Sequence, residues 1–353
     1  MSMTSISLRG ADIGTSIPSS RKPLRLLAFD GGIGGLSSLL ILRKLMETVA
    51  VVKGISDHDR GSLRPSEFFD LIIGTGWGGI SALFLGRLEM TVDEAIVAYQ
   101  EVANAASQPR TLVSRVLHRS SSSRNFEQCV GDIIQRHLGG RDAPLHNLSI
   151  QSSHIPCYTA VLSGTTLDAD APPYIFRSYR PSPFTILEVA RLATAMTETL
   201  SYTLGDPPWK FINACVVGYG NPSKIAMQEA SSIWPVFDSR VDCLVSLGTG
   251  IQNLVQIGRK WKQVIKGAEQ LSQNCEAIHH AVDLELDLYF RFNVPRHLGP
   301  RDIRKWMLTE STTSNSIASI TEGYIRDRKV VYVMNSCVEM LIGKRSLYLS
   351  GFG

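Results

Sequence analysis

The sequence lacks a long apolar run: no stretch approaches the roughly 20 consecutive apolar residues of a membrane-spanning helix. Its charge is nearly balanced, with 36 Lys and Arg against 32 Asp and Glu, which gives no basic excess of the kind that nucleic acid attracts. The six cysteines are scattered without a CxxC pair, and the eight histidines show no HExxH or other zinc spacing. Residues 1–23 are polar and serine-rich rather than signal-peptide-like. We therefore expect a cytoplasmic globular protein with no transmembrane segment, nucleic-acid partner, metal or cofactor. Contact with a membrane surface stays open.

A nucleophile is missing where the chain pattern would place one. Residues 68–86 read FFDLIIGTGWGGISALFLG, an apolar strand that enters a glycine-rich turn and then an apolar helix. This is the layout of a nucleophile elbow, G-x-S-x-G, in which a serine occupies a sharp strand-to-helix turn. Here the serine position is Gly76, which has no side chain and cannot attack a substrate.

Other segments match the same layout. Residues 24–30 form a short apolar run that ends in Asp30, and a glycine-rich loop and an apolar helical pattern follow. A strand, a glycine loop and a helix N-terminus together present backbone N–H groups to an anion or oxyanion. Residues 241–250 (VDCLVSLGTG) and 211–222 (FINACVVGYGNP) each read as a strand that ends in a turn. Alternating strands and helices of this kind predict a mostly parallel sheet covered on both faces.

Seven segments between about residue 24 and about residue 295 together resemble the patatin-like phospholipase family, as found in filamentous fungi. They are LRLLAFDGG, GLSSLLILRKLME, FFDLIIGTG, FRSYR, GNPSKIAMQEA, LVSLGTG and YFRFNVPR. The resemblance implies a three-layer α/β/α sandwich with a mostly parallel central sheet. It also implies hydrolysis of lipid acyl esters by a serine–aspartate dyad, with the glycine loop as oxyanion hole.

The sequence departs from the family pattern at each catalytic segment. The family elbow is typically GTSTGG, but here Gly76 replaces the serine and Trp77 replaces a small neighbour. The family loop is typically DGGGIRGL, whereas residues 30–36 are one glycine shorter and carry glycine in place of the arginine. The dyad aspartate is matched by Asn213, which cannot act as a base. Residues 193–200 read ATAMTETL, where the family has a segment similar to ATSAAPTY.

Loss of the nucleophile alone predicts loss of the family chemistry. In a serine hydrolase of another fold, removing the nucleophile lowers kcat by about 10⁶, or roughly 8 kcal/mol of barrier. Three functions remain as hypotheses. The first is a repurposed protein that binds a lipid-like, polyketide or terpenoid molecule and catalyses a non-hydrolytic step such as cyclisation or isomerisation, as in secondary metabolism. The second is a pseudoenzyme that binds lipid or a protein partner. The third is residual phospholipase activity with another nucleophile.

The candidate ligand pocket is expected around the degenerate elbow. Glu198 is the candidate general acid or base, since a carboxylate in an apolar pocket has a raised pKa; the alternative is a solvent-facing loop carboxylate. Trp77 could wall the pocket or simply fill it. Asn213 could orient a ligand or cap its own strand end. The predicted pocket residues are Gly31, Gly32, Gly34, Gly35, Gly76, Trp77, Thr197, Glu198, Asn213 and Tyr219.

Two further interpretations are weighed and set aside. Residues 74–79 form a literal G-x-G-x-x-G, which alone is a dinucleotide fingerprint, but the acids about 20 residues on, Asp93 and Glu94, begin a helix in a capping box rather than ending a strand. Ser81 is expected to be buried in packing rather than to replace the nucleophile. For the domains, residues 1–22 are expected to be a flexible lead-in, and 23–353 a single domain with a helical C-terminal part.

Overall fold

The computed structural model describes residues 23–32, 35–107, 121–147, 157–165, 172–195, 200–202, 209–234, 241–252, 275–296 and 312–343. The strands among them are β1 Leu24–Phe29, β2 Leu71–Thr75, β3 Tyr158–Thr165, β4 Tyr174–Arg177, β5 Leu200–Tyr202, β6 Trp209–Asn213, β7 Val241–Leu247, β8 Ile251–Gln252, β9 Tyr289–Phe292 and β10 Pro295–Arg296. The helices are α1 Gly35–Val52, α2 Trp77–Ala82, α3 Val92–Ser107, α4 Ser121–Leu138, α5 Ile186–Thr194, α6 Ser223–Ile233, α7 275–285, α8 Thr312–Ile325 and α9 Arg328–Leu341.

Within the described residues, eight strands form one sheet, in which seven follow the order β5-β6-β3-β2-β1-β7-β9 and β4 pairs with β3. The central pairs β3–β2, β2–β1, β1–β7 and β7–β9 are parallel, whereas β4, β5 and β6 are joined by antiparallel pairing. The predicted mostly parallel sheet is therefore confirmed. Because parallel strands share a direction, the segments that follow β1, β2, β7 and β9 all lie at one edge of the sheet, its carboxyl edge.

Each face of the sheet carries its own apolar core, which makes the fold three-layered. Alternate residues of β1 point to opposite faces, with Leu27 and Phe29 in one core and Leu26 and Ala28 in the other. Residues from α1, α3, α4, α5, α8 and α9 contribute to the first core. The second core is covered by residues of α6 and α7. The strands of the parallel centre are mostly apolar because both of their faces are buried.

Most predicted local elements agree with the structure. Thr91 and Glu94 form the expected capping box at the start of α3: Thr91 N donates to Glu94 Oε2 over 2.8 Å, and Glu94 N donates to Thr91 Oγ1 over 3.3 Å. Residues 121–124 form the first turn of α4, although a run of serines beside basic residues favours a loop. Residues 1–22, expected to be a flexible lead-in, lie outside the described residues.

Candidate functional site

The sharp turn between β2 and α2 keeps the backbone of a nucleophile elbow. β2 ends at Thr75, α2 begins at Trp77, and Gly76 between them has φ 55° and ψ −124°. An L side chain in such a conformation costs about 1–3 kcal/mol, whereas glycine adopts it without a Cβ clash. The structure therefore retains the turn that the sequence pattern predicts, while the reactive side chain is absent.

Asn213 occupies the space into which a side chain at position 76 would extend. A Cβ placed on Gly76 would lie 2.8 Å from both Asn213 Nδ2 and Asn213 Oδ1. Asn213 ends β6 and is 1% exposed. Its Oδ1 accepts a hydrogen bond of 3.0 Å from Cys215 N, so it caps the short 3₁₀ turn Ala214–Val217. The alternative role expected for Asn213, capping its own strand end, is what the geometry shows.

The glycine loop after β1 is fixed by contacts that use one of its N–H groups. Gly31 N donates to Gly220 O over 2.7 Å, and Thr249 Oγ1 donates to Gly31 O over 3.3 Å. A Cβ placed on Gly31 would lie 1.8 Å from Cys215 Sγ, so only glycine fits against that thiol. Because the Gly31 N–H already has an acceptor within the protein, it is not available to stabilise an oxyanion.

The Cys215 thiol lies beside both the glycine loop and Asn213, but it is poorly suited to replace a nucleophile. The side chain is buried, and burial together with the negative charge of Asp30 raises the pKa of Cys215 to about 12. A thiol with such a pKa holds almost no thiolate near neutral pH, and the thiolate is the attacking species. The position therefore provides packing rather than reactivity.

A buried ion pair holds Asp30, the residue that precedes the glycine loop. Arg291 on β9 donates from Nη1 to Asp30 Oδ1 over 2.9 Å and from Nη2 to Asp30 Oδ2 over 2.6 Å. The two side chains are 6% and 4% exposed. Burial raises the pKa of Asp30 although the guanidinium opposes that shift, and the carboxylate in turn raises the pKa of Arg291 despite burial. Arg291 thus stays charged and links β9 to the residue that precedes Gly31.

The Arg291 contacts extend to neighbouring strands and helices. Arg291 Nη1 also donates to Ser246 Oγ over 2.8 Å, and the Ser246 and Ser223 hydroxyls lie 3.0 Å apart. Asn293 Nδ2 donates to Glu276 Oε1 over 3.1 Å, and Gly250 N donates to Asn293 Oδ1 over 2.8 Å. These bonds join the carboxyl edge of β7 and β9 to α6 and α7. Sequence analysis missed Arg291, although it lies in the YFRFNVPR segment that carries the family resemblance.

Trp77 packs into an aromatic group rather than standing alone at the turn. Its ring lies edge-on to Tyr99 of α3 at 5.7 Å and to Phe126 of α4 at 6.2 Å between centroids. The indole is partly buried against the first core. Ser81, one turn into α2, is fully buried, as expected from the sequence. The elbow helix is therefore fixed by packing on the side of α3 and α4.

The structure brings together only part of the predicted pocket. Gly31 and Cys215 meet Asn213 and Gly76 at the carboxyl edge, whereas the Tyr219 ring packs on the second core, across the sheet from Trp77. Gly34, Thr197 and Glu198 lie outside the described residues. Among the described residues, no group of three His, Cys, Asp or Glu side chains could hold a metal ion.

A separate surface groove of about 530 Å³ lies between α3 and α4. It is lined by Glu101, Ala105, Asn125, Gln128, Cys129, Asp132 and Arg136, none of which is a predicted pocket residue. Charged residues border it, and Arg136 pairs with Glu101 over 2.6 Å. The groove is thus polar and distinct from the elbow.

Comparison with known proteins gives distant but extensive similarity. The chain is 27% identical to human calcium-independent phospholipase A2-gamma over 308 residues, covering 80% of this chain and 36% of that protein. It is 25% identical to Arabidopsis thaliana phospholipase A I, covering 81% of this chain and 25% of that protein. The chain therefore spans about a third or less of the relatives it matches. No family model matches the sequence.

Among solved structures, the type III effector protein ExoU aligns with 90% of this chain and 54% of its own, at a TM-score of 0.37 and 12% identity. That similarity is too low to support an argument. In the part of the chain that the structure describes, no helix is both long and apolar enough to cross a bilayer.

Proposed function

We propose that this chain, whose homologues are patatin-domain phospholipases, binds a lipid-like, polyketide or terpenoid molecule and no longer hydrolyses acyl esters by Ser–Asp chemistry. One observation carries the proposal: the elbow at Gly76 keeps its turn, but Asn213 fills the space of the missing nucleophile. If only the serine of the family dyad had been replaced, an empty space would lie next to the aspartate carboxylate. Here a neutral, hydrogen-bonded amide occupies that space, so neither a nucleophile nor a base remains at the dyad.

The surroundings of Gly76 support the same conclusion. The nearest thiol, Cys215, is held protonated by burial, and the Gly31 N–H is bonded to Gly220 O. Restoring hydrolysis would need at least a nucleophile and a base together. The relatives are named as phospholipases, which supports a lipid-like ligand, and two fully formed apolar cores support a folded binding protein rather than a decayed one.

The non-hydrolytic reaction, cyclisation or isomerisation, depends on an acid–base group that the sequence assigns to Glu198. Since Glu198 lies outside the described residues, this step stays a prediction. The pseudoenzyme alternative is favoured by a specific observation: the Trp77 ring lies in contact with Tyr99 and Phe126 rather than standing free beside the elbow. The repurposed enzyme and the pseudoenzyme would both bind a ligand without hydrolysing it. They differ in whether the bound molecule is chemically converted.

Two measurements on the full chain test the proposal. A fluorophosphonate probe and a chromogenic short-chain ester should give no labelling and no turnover above buffer, because the described residues at the elbow include no activated nucleophile. A dansyl-labelled fatty acid should bind saturably and be displaced by an unlabelled fatty acid. Stoichiometric probe labelling, or the absence of any saturable apolar ligand, would contradict the proposal.

The location of the ligand can be tested by tryptophan quenching. A brominated fatty acid should quench tryptophan fluorescence, and the quenching should fall in a Trp77→Phe variant because Trp77 adjoins the elbow. Trp234→Phe is the matched control, since Trp234 is buried in the second core, stacked on Tyr158 at 5.4 Å. Equal loss of quenching in both variants would place the ligand elsewhere.

A further inference from the structure

The first two turns of α9 expose apolar side chains to solvent. Val331, Tyr332 and Val333 are 40%, 52% and 37% exposed, although the same helix buries Met334, Cys337 and Leu341 in the first core. Residues 328, 331, 332 and 335 recur at helical spacing and therefore share the outward face. This face therefore carries two adjacent exposed apolar side chains, Val331 and Tyr332, next to Arg328.

The apolar character is confined to one end of the outward face. Farther along α9 the exposed or partly exposed positions are Asn335, Ser336 and Glu339, all polar. A second copy of the chain or a long partner helix would be expected to use an apolar stripe along the whole helix. A partner that contacts only the first two turns of α9 is better explained by a flat surface, which would touch the N-terminal end of the helix, than by another helix.

That end of α9 lies at the carboxyl edge of the sheet, where the elbow and the glycine loop also lie. Tyr324, in the last turn of α8, accepts a hydrogen bond of 3.2 Å from Asn293 N just after β9. Gly343, just beyond α9, lies beside Arg25 near the start of β1, with a Cβ placed on it 3.5 Å from Arg25 Nη2. α9 therefore starts near the carboxyl edge and ends near the amino edge.

Basic side chains accompany the exposed apolar ones. Arg328 and Lys329 are exposed and make no ion pair with another described residue, whereas the adjacent Arg326 pairs with Glu322. Asp327 is engaged as the N-cap of α9, because its Oδ1 accepts a hydrogen bond of 2.8 Å from Lys329 N. Two cations that are unpaired among the described residues, partly offset by the Asp327 carboxylate, lie beside an exposed valine and tyrosine, and this combination favours an anionic lipid surface.

We infer that Arg328, Lys329, Val331 and Tyr332, here called the α9 patch, dock the protein on an anionic lipid bilayer. Val331 enters the headgroup boundary, Tyr332 lies at the interface, and the two cations meet lipid phosphates. The inference rests on the proposed function in one respect: the bilayer is the source from which the elbow site takes its lipid-like ligand.

Vesicle co-sedimentation of the full chain tests the inference. Vesicles of phosphatidylcholine mixed with phosphatidylserine should bind the protein, whereas phosphatidylcholine alone should bind it much more weakly. The double variant Arg328→Gln/Lys329→Gln should lower the partition coefficient by about 25-fold, since each basic residue near an anionic surface contributes about a factor of five. Val331→Asp/Tyr332→Asp should abolish binding to both kinds of vesicle.

The matched control is Val51→Asp/Val52→Asp. Those two valines are 53% and 44% exposed at the end of α1, which runs back from the carboxyl edge to the opposite edge of the sheet. This variant should bind vesicles as the wild type does. Circular dichroism melting establishes that each variant is folded. Binding of the dansyl fatty acid in solution should be unchanged in the α9 patch variants, which separates this inference from the proposed function.

Three results would overturn the inference. The wild type could fail to sediment with anionic vesicles, the folded Val331→Asp/Tyr332→Asp variant could sediment as well as the wild type, or the control could lose binding equally. A change from dimer to monomer on gel filtration, in patch variants that still bind vesicles, would instead identify the α9 patch as a contact between copies of the chain.

Discussion

Gly76 and Asn213 are fitted to each other: the amide of Asn213 lies where a β-carbon at position 76 would come within 2.8 Å of both its nitrogen and its oxygen. In the family pattern these two positions carry the nucleophile and the base. Here the Asn213 amide packs against Gly76 and is hydrogen-bonded to Cys215 N, and neither residue can act as a base or attack a carbonyl. Replacement at one position is therefore physically linked to replacement at the other.

The first prediction concerns this fit. Gly76→Ser should lower the free energy of unfolding by about 1–3 kcal/mol, because a side chain at φ 55° is strained and its Cβ meets Asn213. The variant should show no esterase activity, since no base replaces Asn213. Urea unfolding measures the first effect and a chromogenic ester the second.

A double-variant cycle with Asn213→Ala tests the cause of the strain. Removing the amide should recover part of the loss caused by Gly76→Ser, so the two changes should couple by about 0.5 kcal/mol or more. Strictly additive effects would mean that the backbone angle alone, and not Asn213, makes a side chain unfavourable at position 76.

The second prediction concerns the anchor of the glycine loop. Arg291→Met should lower the free energy of unfolding by about 3–5 kcal/mol, because it leaves the buried Asp30 carboxylate without a partner. The double variant Asp30→Leu/Arg291→Met should lose less than Arg291→Met alone, since no buried charge remains. Urea unfolding gives both values.

The exposed ion pair between Arg326 and Glu322 is the control for that prediction. Its side chains are 79% and 54% exposed, so Arg326→Ala should change the free energy of unfolding by no more than about 0.5 kcal/mol. If Arg291→Met were as mild as Arg326→Ala, the buried pair would not hold the loop.

The third prediction is a pH dependence. Burial alone would raise the pKa of Glu229, but hydrogen bonds from Arg177 and Tyr179 and the charge of Arg177 outweigh it and lower that pKa. Arg177 Nε and Nη2 donate over 2.6 and 2.8 Å. A carboxyl with a lowered folded pKa stabilises the fold above its unfolded pKa, and this contribution is lost as the pH falls through the folded pKa.

Glu229→Gln measures this contribution. The difference in free energy of unfolding between wild type and variant should be largest near neutral pH and should shrink below about pH 4, the range of an ordinary glutamate. Glu322→Gln, at an exposed ion pair, is the control variant. A difference that stays constant from neutral to acidic pH would contradict the assignment.

The fourth prediction tests whether the Trp77 side chain fills the space beside the elbow or leaves a cavity there. Trp77→Ala should lower the free energy of unfolding by about 2–3 kcal/mol, less than the about 3–5 kcal/mol of a fully buried aromatic, because Trp77 is only partly buried. If the indole fills the space beside the elbow, the variant should bind small apolar probes that the wild type excludes, as apolar cavities do. Xenon or benzene titration by NMR gives the answer. Equal probe binding in both proteins would indicate that the wild-type space is already open.

Much of the architecture could be predicted from local sequence. The apolar runs at 24–29 and 71–75, each followed by glycines and then by a helical pattern, indicate buried parallel strands, because only a strand covered on both faces is apolar throughout. The capping box at Thr91 fixes the start of α3 through local hydrogen bonds alone. The first turn of α4 was missed because serine repeats carry a weak helical signal, which the packing of Phe126 and Val130 outweighs.

Fewer residues of the candidate site could be predicted from local sequence. Gly76 and Asn213 were found because each stands where a family motif places a reactive group. Arg291 and Cys215 were missed because an arginine or cysteine in a strand or turn carries no sign of its distant partner. Asp30 and Arg291 are separated by 261 positions in the chain, and only the order of β1, β7 and β9 in the sheet brings them together.

The sequence by itself determined that this protein has an elbow without a nucleophile and a sheet with two buried faces, because both follow from residue type and spacing along a short stretch of chain. Only the tertiary structure decided that Asn213 closes the vacated space, that Arg291 holds the glycine loop, and that the exposed start of α9 lies at the same edge as the elbow. Those relationships join residues far apart in the chain, and their distances are set by strand order and packing rather than by local preference.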